Sequence, residues 1–389
     1  MSHSAKTTRI DLRRRLTSPA WLSCGSAPPP QVDDVEALDA RSTRRARLVA
    51  LGIFVVVAVV GTYLVKWHPY YLKGFSVATH HSLGASMVSG RAAASPKGWH
   101  AATEYGYRYG ASIWQAFVVG LLVAAGIQEL LPRDWLVRVL GQGRFRSTAI
   151  AGAVAVPSMM CTCCSAPPTV TMARSRASVG ATMAYWLGNP VLNPATIVFM
   201  GLVLGWKWAA LRVVVGIVLV FGAATLAQRL FGERDVPVAA QHAVANAMRA
   251  PKDERPLPVR YLSTLGRLSV GLVPEYLVIV LGLGAARAFL FPAVTPAIGH
   301  ALWLVLVLAI TGTLFVIPTA GEIPIVATFL GFGLGAAGAG ALMITLPAIS
   351  LPSAVMVGRA VPAKVLALVA GVVVVMGLVT AVAAVALGA

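Results

Sequence analysis

Charged residues are scarce in this sequence, at 12% of 389 residues, with 14 acidic side chains against 32 basic ones. A chain so poor in charge and 57% hydrophobic cannot cover a soluble core with polar surface, which excludes the ordinary globular class. There are only four cysteines, Cys24 alone and Cys161, Cys163 and Cys164 together, so no extracellular disulfide framework can be drawn. No GxxxxGK[ST] phosphate loop occurs, so nothing marks the chain as nucleotide-driven. No segment outside the apolar runs is long enough to group basic and aromatic residues into a base-reading patch. The net charge of +18 therefore does not point to nucleic acid.

What the chain has instead is apolar runs of bilayer length, recurring from residue 48 to the C-terminus, with Lys and Arg concentrated between them. Unbroken hydrophobicity selects helices over a barrel. The expected fold is an all-α polytopic membrane protein with about 7–10 transmembrane segments, built from two related, inverted repeats with broken or re-entrant helices. Residues 1–47, basic and proline-bearing, read as a disordered cytoplasmic tail, and 48–66 as a first helix acting as signal anchor. An external loop is expected over 67–110, repeat 1 over 111–231, a cytoplasmic linker over 232–262, and repeat 2 over 263–389. The loop aromatics Trp67, Tyr70, Tyr71, Trp99, Tyr105 and Tyr107 suit an interfacial belt, and His68, His80, His81 and His100 match no metal-ligand spacing.

The repeat rests on proline. A shift of 157 residues lays Pro167 over Pro324, Pro190 over Pro347 and Asn193 over Ser350, and leaves Pro194 one residue from Pro352. Residues 147–173 carry Pro157, Pro167 and Pro168 and are flanked by Arg144 and Arg146 on one side and Arg174 and Arg176 on the other. Two basic ends on one apolar stretch favour a hairpin that enters and leaves by the same face. Residues 300–333 read as its counterpart from outside, and 178–206 and 337–358 as crossings interrupted by proline. With hairpins, each unit has three crossings and the copies are inverted, an arrangement that puts a site near the midplane. If the interrupted stretches cross fully, the repeats are parallel.

The strongest local signal is Met159-Met160-Cys161-Thr162-Cys163-Cys164-Ser165-Ala166-Pro167-Pro168. Tandem proline frees backbone carbonyls, which a membrane segment tolerates only beside protein or a cavity. Three thiols with two thioethers are soft ligands, suited to Cu(I), Zn or a trivalent arsenical, so Cys161, Cys163 and Cys164 are also candidate metal ligands. The plain alternative is cysteine as a small packing residue. Asn189-Pro190 and Asn193-Pro194 form a second break, where amides offer donors and acceptors in mid-run and line a cavity or tie helices together. Glu129, Glu275 and Glu322 are acids in or beside apolar runs, a default sign of ion coupling. Glu322 stands out, because Thr319-Ala320-Gly321-Glu322-Ile323-Pro324 is the second-repeat copy of the cysteine break. Ser350, the counterpart of Asn193, completes the candidate set.

Cys161-Thr162-Cys163 with Pro167 four residues on, Gly180 thirteen beyond it and the Asn-Pro-x-x-Asn-Pro break resembles the predicted permease family that includes the ArsP-type organoarsenical exporters. The resemblance runs over about 111–387 and takes in Glu322-Ile323-Pro324 and Ser350-Leu351-Pro352. Thr162 and Cys164 depart from the commoner Cys-Ser-Cys-Gly form, and the first helix and the loop after it are additions to the resemblance. It implies a multi-pass permease of the inner membrane, not an enzyme, with no cofactor; its partners are a small-molecule or ion substrate and the lipid bilayer. The competing readings are a membrane thiol oxidoreductase and a metal-binding membrane protein without transport. Against the first, Cys161 and Cys163 stand closer than a Cys-x-x-Cys pair, and no quinone or haem ligand stands out.

Overall fold

The structure, a computed structural model, describes residues 49–84, 86, 98–131, 133–232, 255–290 and 299–388. The expected tail and most of the linker, with Cys24, lie outside the described residues. Among those described there is no strand, and seven helices are long and apolar enough to cross a membrane. The chain is a multi-pass, all-helical membrane protein.

Helix α1 spans Val49–His80, a 32-residue helix whose valines and isoleucine at 49, 53, 55, 56, 57, 59 and 60 are exposed, as a lipid-facing surface requires. It does not end at 66. A π-helical turn at Tyr63–Trp67 shifts the register, Pro69 falls just inside the next helical stretch, and His81, at φ 49°, stops it. Helix α2, Gly98–Glu129, likewise starts before the expected 111, so much of the expected external loop is helix. Tyr105 is accordingly no belt residue: it is fully buried, stacked on Tyr109, with its hydroxyl donated to the Val316 carbonyl. Trp99 and Tyr107 are exposed.

After α3 (Arg133–Leu140) the first repeat continues through α4 (Phe145–Ser158), α5 (Thr162–Arg174), α6 (Val179–Val191), α7 (Pro194–Val203) and α8 (Trp206–Phe231). The second comprises α9 (Leu257–Leu290), α10 (Leu302–Leu314), α11 (Glu322–Gly331), α12 (Ala336–Ala348), α13 (Leu351–Gly358) and α14 (Ala363–Ala386). At about 1.5 Å per residue, the 14 residues of α4 and the 13 of α5 are each too short for a bilayer core of about 30 Å. Their outer ends stay on one face: the Ser178 N–H, just past α5, donates to the Leu140 carbonyl at 2.8 Å, shortly before α4 begins. The α4–α5 pair is therefore a re-entrant hairpin. In the second repeat the Gly335 N–H, just past α11, donates to the Gly299 carbonyl at 3.0 Å, just before α10, and closes the counterpart hairpin in the same way.

The 157-residue register holds in three dimensions. Gly188 of α6 packs on Ala155 of α4, and at the shifted positions Thr345 of α12 packs on Gly312 of α10. Small residues at both crossings let the backbones approach, the device by which membrane helices associate without a hydrophobic driving force. The copies run in opposite senses. Antiparallel α2 and α9 meet through Glu129 and Arg260 at one face and through Gly106 and Leu281 towards the other. Helix α14 starts with Lys364 over the Phe231 ring at the end of α8, and its last carbonyls, Leu387 and Gly388, accept from Lys207 at the start of α8.

Candidate functional site

Four helix breaks meet at the centre of the bundle. In the first repeat, α4 carries Pro157 in its last turn and gives way to Met159, held at φ 49°, Met160 and an extended Cys161 that caps α5. Left-handed backbone at a non-glycine residue is strained, and it recurs at the other hairpin, where Ala320 at φ 66° precedes α11. The crossings break alike. Helix α6 ends one residue after Pro190 and α12 one residue after Pro347. Asn193 then caps α7 by accepting from the N–H groups of Ala195 and Thr196, and Ser350 caps α13 in a capping box with Ser353.

The cysteine break differs from the expected one. Pro167 and Pro168 do not interrupt the chain; both lie inside α5, and the interruption precedes it at 159–161. Each proline withdraws the N–H that would reach back four residues and crowds the carbonyl there, here those of Cys163 and Cys164. Gly120 of α2 packs against the freed Cys164 carbonyl, where any Cβ would collide with it.

The three cysteines are buried and joined by no disulfide, with Cys161 Sγ 3.1 Å from Cys163 Sγ and 3.0 Å from Cys164 Sγ. All three sulfurs lie within 4.8 Å of one another, so three soft donors are poised for one thiophilic atom. The Tyr276 hydroxyl donates to that of Tyr109 at 2.8 Å, and the Tyr109 hydroxyl stands 2.7 Å from Cys163 Sγ, which secures that thiol from behind.

A cavity with ≈ 10 Å³ for the centre of a water lies where the breaks converge, about room for one molecule. Met160, Cys161, Thr162, Pro190, Thr196, residues 317–320, Glu322 and Pro347 line it. Of the expected site residues, Cys161, Pro190 and Glu322 reach this wall. Cys163 and Cys164 stand behind Cys161. Ser350 is one contact away, 3.1 Å from the Thr162 hydroxyl, and Pro194 and Pro324 occupy the first turns of α7 and α11. Asn189 fastens the first hairpin tip to α6: its Nδ2 donates to the Tyr185 carbonyl at 2.8 Å, and its Oδ1 accepts from the Ser158 hydroxyl and the Met160 N–H.

Glu322 is not a free acid. It pairs at 2.8 Å with Arg212, both side chains buried, and Arg212 is a residue that the sequence did not single out within the apolar run that ends repeat 1. The guanidinium also donates to the carbonyls of Val191 (3.1 Å), Pro190 (2.9 Å) and Met343 (3.3 Å). It thereby covers the open C-terminal end of α6 as well as a carbonyl of α12. The signal was present, since a lone cation within an apolar run is costly unless partnered. Lys66, the last residue of the expected first helix, was also missed. It is 6% exposed, and its Nζ donates to the hydroxyl of Thr319 on the cavity wall at 3.0 Å. The other acids are paired towards the periphery: Glu129 accepts from Arg260 and, at 2.8 Å, from the Thr264 hydroxyl, while Glu275 pairs with a half-exposed Arg359. His81 and His80 take up backbone carbonyls, of Leu202 and Ser76 respectively.

Comparison with known proteins adds a family pattern of the ArsP type, described as "Predicted permease", that matches residues 43–185 and again 160–386. The first match begins before α1, so that helix belongs to the family pattern and is no addition to it. The chain is 45% identical over 328 residues to the UPF0718 protein YraQ of Escherichia coli (strain K12), covering 84% of this chain and 92% of that protein. No solved structure matches.

Proposed function

We propose, starting from the fact that the chain belongs to the ArsP-type predicted permease family, that it is a secondary transporter exporting a small thiophilic solute. Alternating access would run around the cavity at the four breaks. The observation that carries this reading is the convergence of broken helices from two inverted repeats on one buried cavity with Cys161 on its wall. Discontinuous helices at a repeat interface leave unpaired backbone ends at mid-membrane, and rocking one repeat against the other exposes them to each side in turn. Cys161, Cys163 and Cys164 receive the solute. Asn189, Asn193 and Ser350 hold the breaks in place, Pro167, Pro190, Pro194 and Pro324 shape them, and Glu322 with Arg212 ties the repeats together. Energy comes from an ion or solute gradient.

The face bearing Arg138, Arg144, Arg146, Arg174 and Arg176 is the cytoplasmic one by the positive-inside rule, which sets the N-terminus inside an inner membrane. Transport of a trivalent organoarsenical and of Cu(I) into everted vesicles is the test. Flux that disappears in the Cys161→Ser variant, with the protein still folded, is expected; no flux of either solute by the wild type refutes the thiophilic reading.

One observation favours a second reading, a thiol oxidoreductase. Cys161 and Cys164, unlike the 161/163 pair, have Cys-x-x-Cys spacing at a helix N-terminus, with sulfurs 3.0 Å apart. Trapping a mixed disulfide between Cys161 and a partner in a Cys164→Ser variant distinguishes it.

A further inference from the structure

Helix α1 presents its apolar surface to lipid, yet near its midpoint it buries Lys66, one of its two buried side chains in the stretch 63–80. An ammonium at that depth is costly and persists where it has a task. The π-helical turn around it marks such places often. The turn is fastened at both hairpin tips: Trp67 Nε1 donates to the Pro157 carbonyl at 2.9 Å, and the Tyr70 hydroxyl to the Thr319 carbonyl at 3.4 Å. Lys66 Nζ lies 3.0 Å from the Thr319 hydroxyl and 5.7 Å from the centre of the Tyr70 ring.

No carboxylate among the described residues lies within ion-pair distance of Lys66. Glu322 is taken by Arg212, Glu129 by Arg260 and Glu275 by Arg359. Lys66 thus stands beside the cavity, joined to its wall through Thr319, and the Glu322 carboxylate that lines the wall is already engaged by Arg212. The backbone ends tilt the balance towards an anion. Arg212 covers the electronegative end of α6, whereas the electropositive N-termini of α5, α7 and α11 reach the cavity wall through Thr162, Thr196 and Glu322. Asn193 Nδ2, fully buried at the start of α7, has no hydrogen-bond partner among the described residues.

We infer that this site takes a small anion, with Lys66 as its counter-cation, and that the solute class combines a sulfur atom able to accept the S–H of Cys161 with oxygen acceptors for Lys66 and the cavity hydroxyls. The inference rests on the cavity being the solute site. Charge-assisted hydrogen bonding is the recognition chemistry: an anion completes the valence of an ammonium that has one acceptor among the described residues, and offsets the burial of its charge. A neutral solute brings the same ammonium no carboxylate-like counter-charge.

The test uses the full-length protein in detergent, with thiosulfate as the soft anion, sulfate as the hard one and phenylarsine oxide as the soft neutral probe, each titrated by calorimetry. Thiosulfate is expected to bind the wild type more tightly than sulfate does, to bind Lys66→Met at least about tenfold more weakly, and to recover most of its affinity in Lys66→Arg. Phenylarsine oxide reports in every variant whether the thiol cluster is intact. Absence of thiosulfate binding to the wild type, or equal affinity in wild type and Lys66→Met with the cluster intact, overturns the inference. Phenylarsine oxide flux without thiosulfate binding would sink the anion and leave the thiophilic permease standing. Lys66-dependent thiosulfate binding without flux of any solute would do the reverse.

Discussion

Removing either half of the Arg212–Glu322 pair is the most demanding perturbation of this fold, and the two halves are not equivalent. Glu322→Gln leaves a guanidinium at 0% exposure with three carbonyls but no counter-charge, a loss on the order of 3–5 kcal/mol for a buried ion. Arg212→Met leaves a buried carboxylate and also withdraws the donors from Val191, Pro190 and Met343, each stranded acceptor costing about 1–3 kcal/mol more. Two of those carbonyls end a half-helix that has no following turn to take them, so relaxation is limited. Arg212→Met is therefore expected to be the worse variant by several kcal/mol, and the double variant to be far less damaged than the sum of the singles, because it strands no charge. Unfolding in mixed micelles across the four-protein cycle measures the coupling; where Arg212→Met does not accumulate, the Glu322→Gln and Arg212→Lys proteins still read the charge and the carbonyl contacts separately. Glu322→Gln as stable as the wild type, or singles that simply add, would refute the argument.

Gly120→Ala drives a Cβ into the Cys164 carbonyl, which as backbone cannot swing away; a loss of about 1–3 kcal/mol and faster maleimide labelling of the thiols are expected, and an unchanged labelling rate counts against close α2–α5 packing. Asn193→Ala removes the cap of α7 and should lower stability by about 0.5–2 kcal/mol, with Asn193→Ser recovering most of it in the same unfolding assay. Glu275→Gln removes the counter-charge of Arg359 within the span of α9, where lipid and not water covers an exposed face, and should cost about 1–3 kcal/mol in that assay; no measurable loss would mean that Arg359 is compensated without it.

The sequence by itself determined the class, the crossings and the repeat. Apolar runs have no other use at that length, and proline in mid-run weakens a helix wherever it stands, so the breaks at Pro190 and Pro347 and the 157-residue register were legible. Clustering of the thiols was legible too, because three cysteines within one helical turn stay together whatever packs around them. Partners were not. Glu322 finds Arg212 across 110 positions of chain, Lys66 finds Thr319 across 253, and no periodicity encodes either meeting. Hydropathy also failed where lipid and protein interior reward the same side chains. The first helix looked finished at a lysine because a charge inside a membrane segment reads as its end, and only the packing of α1 against both hairpin tips made a buried place for that charge. Pro167 and Pro168 misled for a related reason: a proline marks the carbonyl it frees, four residues back, and tertiary contact decides whether the helix bends there or a neighbour such as Gly120 fills in against it.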